Sequence, residues 1–217
     1  MDPEDYPLLL HVPYFQLYRT QVVKQADLVL AMHWRGDAFT PEQKARNFAY
    51  YEARTVRDSS LSAATQAVVA AEVGHLELAH DYLAETALVD LRDLHRNTRE
   101  GIHIGAAAGT WLALVAGFGG LRDHDGRLAF APRLPSRIER LEFSIHWRGL
   151  RLKVTVSPEA ATYTLRDGGA DAQLELTHHG ELVVVRVGEP VSRPIPPPPP
   201  VGPPPRQPPH RAPLRRG

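Results

Sequence analysis

Near Leu121 the apolar pattern of this chain changes period, from the roughly 3.6-residue repeat of helices to the strict alternation of half-buried strands. That switch divides the chain into a helical part followed by a sheet part, an α-then-β fold class. The alternating runs are Arg127–Phe130, Leu141–Trp147, Leu150–Val156, Thr162–Leu165, Gln173–Leu176 and Glu181–Val185. Arg148-Gly149 and His179-Gly180 supply hairpin turns, and Asp125-Gly126 joins an earlier pair. Residues 121–189 are therefore expected to form a small antiparallel sheet domain, sandwich-like and without clustered polar groups that would suggest chemistry.

Upstream, Val22–Trp34 reads as a helix apolar nearly all round except at its first turn, which holds Lys24, Gln25 and Asp27. Thr40-Pro41-Glu42-Gln43 is a helix start: a threonine cap, proline at the first position, and glutamine placed to close a capping box. That helix is expected to run to about Arg54. Asp58-Ser59-Ser60-Leu61-Ser62 begins another, which Gly74 ends, and His75 to about Val89 is its hairpin partner. A charged loop, Asp90–Glu100, leads to a last helix from about Ile104 to Ala116. The opening stretch, Met1–Thr20, is apolar and aromatic but broken by Pro3, Pro7 and Pro13, so it is expected to be a loop packed on the core. A chain that begins buried in this way suggests further protein upstream.

Two stretches carry the candidate chemistry. Gly101-Ile102-His103 opens a run of small residues that lets a helix start pack tightly while aiming an imidazole at whatever lies before it. Arg57-Asp58-Ser59-Ser60 offers hydroxyls and a guanidinium at another helix start, where free amides and the positive dipole end favour an anion. Together they read as halves of one oxyanion site. Asp and Ser are also the commonest helix caps, and Lys24 and Gln25 also suit a solvated first turn. His75, His80 and His95 read as surface residues, and no spacing of ligands suggests a metal site.

The 217 residues include no cysteine, which fits a reducing cytoplasm. No apolar run reaches membrane-spanning length. Lysine plus arginine and aspartate plus glutamate number 25 each, yet five arginines and no acid follow Pro190, leaving residues 1–190 at a net −5. That balance argues against nucleic acid as a partner. Of the 20 prolines, 13 lie at or after residue 190, so 190–217 reads as a disordered, polyproline-prone tail.

Val23-Lys24-Gln25-Ala26-Asp27, Tyr51-Glu52, Asp58-Ser59-Ser60-Leu61-Ser62, Gly101-Ile102-His103, Gly109-Thr110-Trp111, Gly117-Phe118-Gly119-Gly120-Leu121-Arg122 and Pro132-Arg133-Leu134-Pro135 occur in the order seen in glycoside hydrolase family 65. The chain resembles that family of maltose, trehalose and kojibiose phosphorylases over roughly residues 5 to 160. The resemblance implies that residues 1–120 are the last helices of an (α/α)6 catalytic barrel and 121–189 the small C-terminal β-domain. It implies that Lys24 and Gln25 contact the glucosyl unit and that Ser59, Ser60 and His103 hold inorganic phosphate, a co-substrate, with no cofactor needed. Phosphate then attacks the anomeric carbon while a carboxylic acid protonates the glycosidic oxygen. The full-length form is expected to be a cytoplasmic homodimer.

Two departures accompany the resemblance. The family's general-acid glutamate precedes the Lys-Gln motif by more than the 23 residues present here, so no residue of this chain matches it. Arg57 stands where many relatives have histidine. The leading expectation is a C-terminal phosphorylase fragment, inactive alone. The rivals are an acid-trehalase-like hydrolase fragment and a non-catalytic remnant whose proline-rich tail binds protein.

Overall fold

The computed structural model describes residues 2–169 and 171–213. It divides into two compact units, Met1–Ala113 with Val201–Gly217, and Leu114–Pro200. The expected order, helices first and sheet second, holds.

In the first unit α1 (Leu8–His11) and α2 (Tyr14–Leu17) are single turns, α3 spans Asp27–Trp34, α4 Pro41–Glu52, α5 Ser62–Glu72, α6 Leu76–Ala87 and α7 Ile104–Leu112. The capping box of α4 forms as its sequence dictates: the Thr40 hydroxyl accepts the Gln43 amide at 3.2 Å and the Gln43 side chain accepts the Thr40 amide at 2.8 Å. The α5–α6 pair is the expected hairpin, turning at Gly74, whose φ of 93° is left-handed. Its core joins Ala63, Ala67, Tyr82 and Ala113. Lys44 of α4 reaches Glu72 at the end of α5 with Nζ 2.6 Å from the carboxylate.

Four expectations change here. The helix expected over Val22–Trp34 starts only at Asp27, and the one expected from Asp58 starts only at Ser62. The backbone before each is committed elsewhere: Val23 accepts from Val56, Lys24 accepts from Asp58, and Val23 donates to Arg54, at 2.9 to 3.0 Å. The opening stretch is not packed on a core as a whole. Leu8 is buried, whereas Leu10, Tyr14, Phe15 and Tyr18 are exposed, because two isolated turns between prolines can each turn little apolar surface inward. His75 and His80 are half-buried rather than surface residues, His75 lying beside Phe48.

Helix α7 runs on into a π-helical stretch, Ala113–Phe118. The second unit then holds two sheets, ordered β1-β5-β6 and β2-β3-β4-β7. Strands β1 (Leu128–Phe130), β2 (Leu141–Trp147), β3 (Leu150–Val156), β4 (Ala160–Leu165), β5 (Gln173–His178) and β6 (Glu181–Arg186) match the alternating runs closely. Arg148-Gly149 and His179-Gly180 take left-handed φ values, 49° and 80°, then 47° and 89°, as tight hairpin turns require. The sheets are not wholly antiparallel: β1 pairs with β5 in parallel, Leu128 opposite Leu176. Phe130, Phe143, Tyr163, Leu152, Val154 and Leu176 form the inner layer, with the Phe130 and Tyr163 rings 5.3 Å apart.

The tail also departs from the expected disorder. Val191–Pro194 is a seventh strand, β7, antiparallel to β4 with Val191 opposite Tyr163. Pro190 precedes it and Pro194 is its last residue, so Val191, Ser192 and Arg193 keep their amides for pairing. Residues 201–213 lie in the helical unit, Val201 against Gly74. The last four residues, 214–217, lie outside the described residues. Among the described residues no helix is long and apolar enough to cross a membrane.

Gly109 of α7 sits so close to α5 that a β-carbon there would stand 2.4 Å from the Ala64 methyl. Gly109→Val is therefore expected to destabilise the helical unit by about 1–3 kcal/mol while leaving the sheet unit intact. Urea unfolding followed by circular dichroism checks this.

Candidate active site

The ladder of three backbone bonds between residues 23–24 and 54–58 lays the Lys24-Gln25 bend alongside the loop that carries Asp58, Ser59 and Ser60. Val23 and Thr55 form a parallel bridge within it. Arg57 occupies a left-handed conformation, φ 54°, as the loop turns toward α5. Asp58 does not cap a helix. Its carboxylate accepts the Leu8 amide at 2.7 Å, which fixes the start of α1 to the loop. Burial raises the Asp58 pKa, and Arg211 and the amides of Leu8 and Leu9 oppose that rise.

Ser59 and Ser60 are half-buried just ahead of α5. The Ser59 hydroxyl accepts the Leu61 amide at 3.4 Å, and Ser62 Oγ accepts the Ala26 amide at 3.3 Å, tying α5 to the Lys-Gln bend. Lys24 is exposed, and the Gln25 amide donates to Asp27 at 2.6 Å.

His103 reaches the same end of the unit by way of α7. A β-carbon on Gly105 would touch Leu61, and one on Gly109 would touch Ala64. Position numbers rise together along both helices, so α5 and α7 run the same way with their N-termini side by side. His103 stands at the N-terminus of α7, and Asp90 fixes it twice: Oδ2 accepts its backbone amide at 2.8 Å and Oδ1 lies 2.5 Å from Nδ1. A carboxylate only accepts, so Nδ1 carries the proton and Nε2 is the ring atom left for a ligand. The same contact holds the Asp90 carboxyl below its ordinary range, chiefly through the hydrogen bond from His103.

Behind this surface lies a polar network that the residue pattern does not announce. Glu52, at 1% exposure, accepts from the Tyr82 hydroxyl and, at 2.7 Å, from the Gln66 amide. Arg57 crosses Tyr82, donates to its hydroxyl at 3.3 Å, and forks onto Glu85 at 3.2 and 3.5 Å. Burial alone would lower the Arg57 pKa, but Tyr82, Glu85 and Glu52 around it raise it, so the guanidinium stays charged. Tyr82 is pushed well up by burial and by Glu52, so it stays a donor. The sequence signal for this network is slight: Gln66 is a polar residue in the alanine- and valine-rich run of α5. Asp90 has no signal beyond its place in a charged loop.

With this geometry in view, comparison with known proteins gives the class and then the family. The central catalytic domain model of glycosyl hydrolase family 65 matches residues 1–112, and the family's C-terminal domain model matches 121–185. The chain belongs to glycosyl hydrolase family 65. It is 61% identical over 185 residues to an uncharacterized glycosyl hydrolase of Mycobacterium leprae, spanning 85% of this chain and 23% of that protein. It is 38% identical over 188 residues to the alpha,alpha-trehalose phosphorylase of Thermoanaerobacter brockii, spanning 86% of this chain and 24% of the enzyme. A solved structure of a putative kojibiose phosphorylase from the human microbiome superposes with a TM-score of 0.81 at 28% identity, over 89% of this chain and 28% of that one. The chain thus spans about a quarter of the length of these relatives, and it is a fragment by that measure.

Tyr82→Phe leaves the buried Glu52 carboxylate without its hydroxyl donor. It is expected to lower the stability of the helical unit by roughly 1.5–3 kcal/mol in urea titration. Asp90→Asn removes the group that orients His103. The folded-state carboxyl lies below its unfolded value, so its contribution is complete above about pH 4 and is lost as the pH falls through the depressed value. Wild type is therefore expected to be more stable than Asp90→Asn at neutral pH, the gap closing in acid; thermal melts across pH check it.

Proposed function

We propose that this chain supplies the C-terminal part of an inverting α-glucoside phosphorylase, acting on a disaccharide such as maltose, trehalose or kojibiose with inorganic phosphate as co-substrate. The observation that carries the reading is the backbone ladder that sets Lys24 and Gln25 beside the loop of Ser59 and Ser60. In the proposed roles, the ammonium of Lys24 and the amide of Gln25 bind glucosyl hydroxyls, while the serine hydroxyls and His103 Nε2 bind phosphate.

The electrostatics favour an anion here. Two co-directed helices, α5 and α7, end their positive dipoles close together; the serine hydroxyls are neutral donors that add no like charge, and the lone pair of His103 Nε2 accepts from a protonated phosphate oxygen. Phosphate attacks the anomeric carbon from the face opposite the leaving oxygen. The glycosidic oxygen takes its proton from a carboxylic acid that this chain does not supply, so the chain is inactive alone in this reading. The names of its relatives support a sugar substrate: two of the proteins above are called phosphorylases, and the mycobacterial one a glycosyl hydrolase. That last name favours a second reading, in which water replaces phosphate.

The test grafts this chain in place of the matching segment of the Mycobacterium leprae relative and assays the three disaccharides with and without phosphate. Phosphate-dependent release of β-glucose 1-phosphate is expected. Ser59→Ala/Ser60→Ala is expected to raise the KM for phosphate roughly tenfold or more, since hydrogen bonds to a charged group are lost. Glucose release that ignores phosphate would establish hydrolysis instead, and turnover by the chain alone would refute the missing acid.

A further inference from the structure

The family's C-terminal domain match ends at residue 185, yet the chain's later residues make specific contacts with the helical unit. The Gln207 amide donates to Glu52 Oε1 at 2.9 Å and lies 2.8 Å from the Tyr82 hydroxyl, joining the buried network. Arg211 takes two backbone carbonyls at once, Nε from Val56 and Nη2 from Arg57 at 2.7 Å. These carbonyls lie between the Val56 and Asp58 amides that bind residues 23–24, so Arg211 and residues 23–24 hold the same short loop. The Arg211 guanidinium also stands 4.8 Å over the Tyr6 ring and 3.7 Å from Asp58, and the Tyr6 hydroxyl donates to the Pro209 carbonyl at 2.9 Å.

These contacts read as recognition of a short sequence, Gln207-Pro208-Pro209-His210-Arg211. The segment is folded into a turn, closed by the Arg211 amide on the Pro208 carbonyl at 3.0 Å with His210 at a left-handed φ of 59°, and two prolines limit what the chain can do outside it, so less order is lost when it binds. Each feature that recognises it is specific: an acceptor carboxylate for the glutamine, an aromatic hydroxyl for a proline carbonyl, and paired carbonyls with an aromatic face for the arginine. A cavity of about 230 Å³ lies under the segment, lined by Arg57, Glu85 and His95 on one side and His210 and Arg211 on the other. The His95 ring is 6.0 Å from that of His103.

We propose that the helical unit carries a docking site for a glutamine-proline-proline-x-arginine peptide, and that residues 207–211 of the chain fill it in cis as a strap over the Arg57 loop. The strap's effect on catalysis rests on the function proposed above; its docking does not. A filled site holds the Val56–Asp58 loop against residues 23–24 and walls the cavity beside His103. An empty site leaves both open.

Hydrogen–deuterium exchange on the full chain, without sugar or phosphate, tests the docking. In Gln207→Ala/Arg211→Ala, peptides covering residues 52–60 are expected to exchange about tenfold faster than in wild type, with residues 141–165 unchanged. A synthetic peptide of residues 201–213, added in excess, is expected to restore slow exchange in the variant, and the same peptide with both substitutions to leave it fast. Unchanged exchange at 52–60, acceleration spread equally over 141–165, or failure of the peptide to protect would each overturn the proposal. None of these readouts involves phosphorolysis, so a failure here leaves the phosphorylase reading standing, and an inactive graft leaves the strap standing.

Discussion

The helical unit is organised around one carboxylate removed from water. A carboxyl group buried as Glu52 is can be tolerated only when several donors converge on it, and the donors come from separated parts of the chain: Tyr82 from α6, Gln66 from α5 and Gln207 from the far end. Satisfying that one group fixes where α4, α5 and α6 lie with respect to each other. Arg57 follows from the same requirement, since its guanidinium bridges the Tyr82 hydroxyl and Glu85 and so anchors the loop that leads to Ser59 and Ser60. The loop of Ser59 and Ser60 thus stands on a buried polar base, which anchors its backbone without using the serine side chains.

What the residue pattern reveals, and what it hides, follows from how local each feature is. The capping box at Thr40 and the strand alternation depend on neighbours a few residues away, so both are legible in the sequence. The starts of α3 and α5 are not, because the pairing of residues 23–24 with 54–58 takes backbone groups that local pattern would assign to helix. Strand β7 is hidden for a similar reason: prolines on either side argue for a rod, while its partner β4 lies some thirty positions earlier. At the candidate site, Ser59, Ser60 and His103 stand out as polar residues at expected helix starts, while resemblance to a family assigns them, with Lys24 and Gln25, to particular ligands. Asp90 and the Glu52 network needed the fold, since no spacing along the chain signals them.

Exposure of apolar side chains fits the fragment status. Trp34, Ile102, Ile104 and Trp111 are all at least 48% exposed on the helical unit, as are Leu10, Phe15 and Tyr18. Isolated apolar residues on a surface are ordinary, but so many large ones on a unit of this size are not. Relatives that extend about four times as far have protein available to cover such faces.

The chain passes from the helical unit to the sheet unit after Ala113 and returns after Pro200. The two units are therefore joined by two strands of backbone, and the path through them is a closed circuit wherever the returning segment is docked. In such a circuit a single cut in either crossing separates nothing: the pieces stay together until the second crossing is cut or the docked segment lets go. Integrity of the chain and integrity of the molecule become different properties, and residues 201–213 decide which of them a protease destroys.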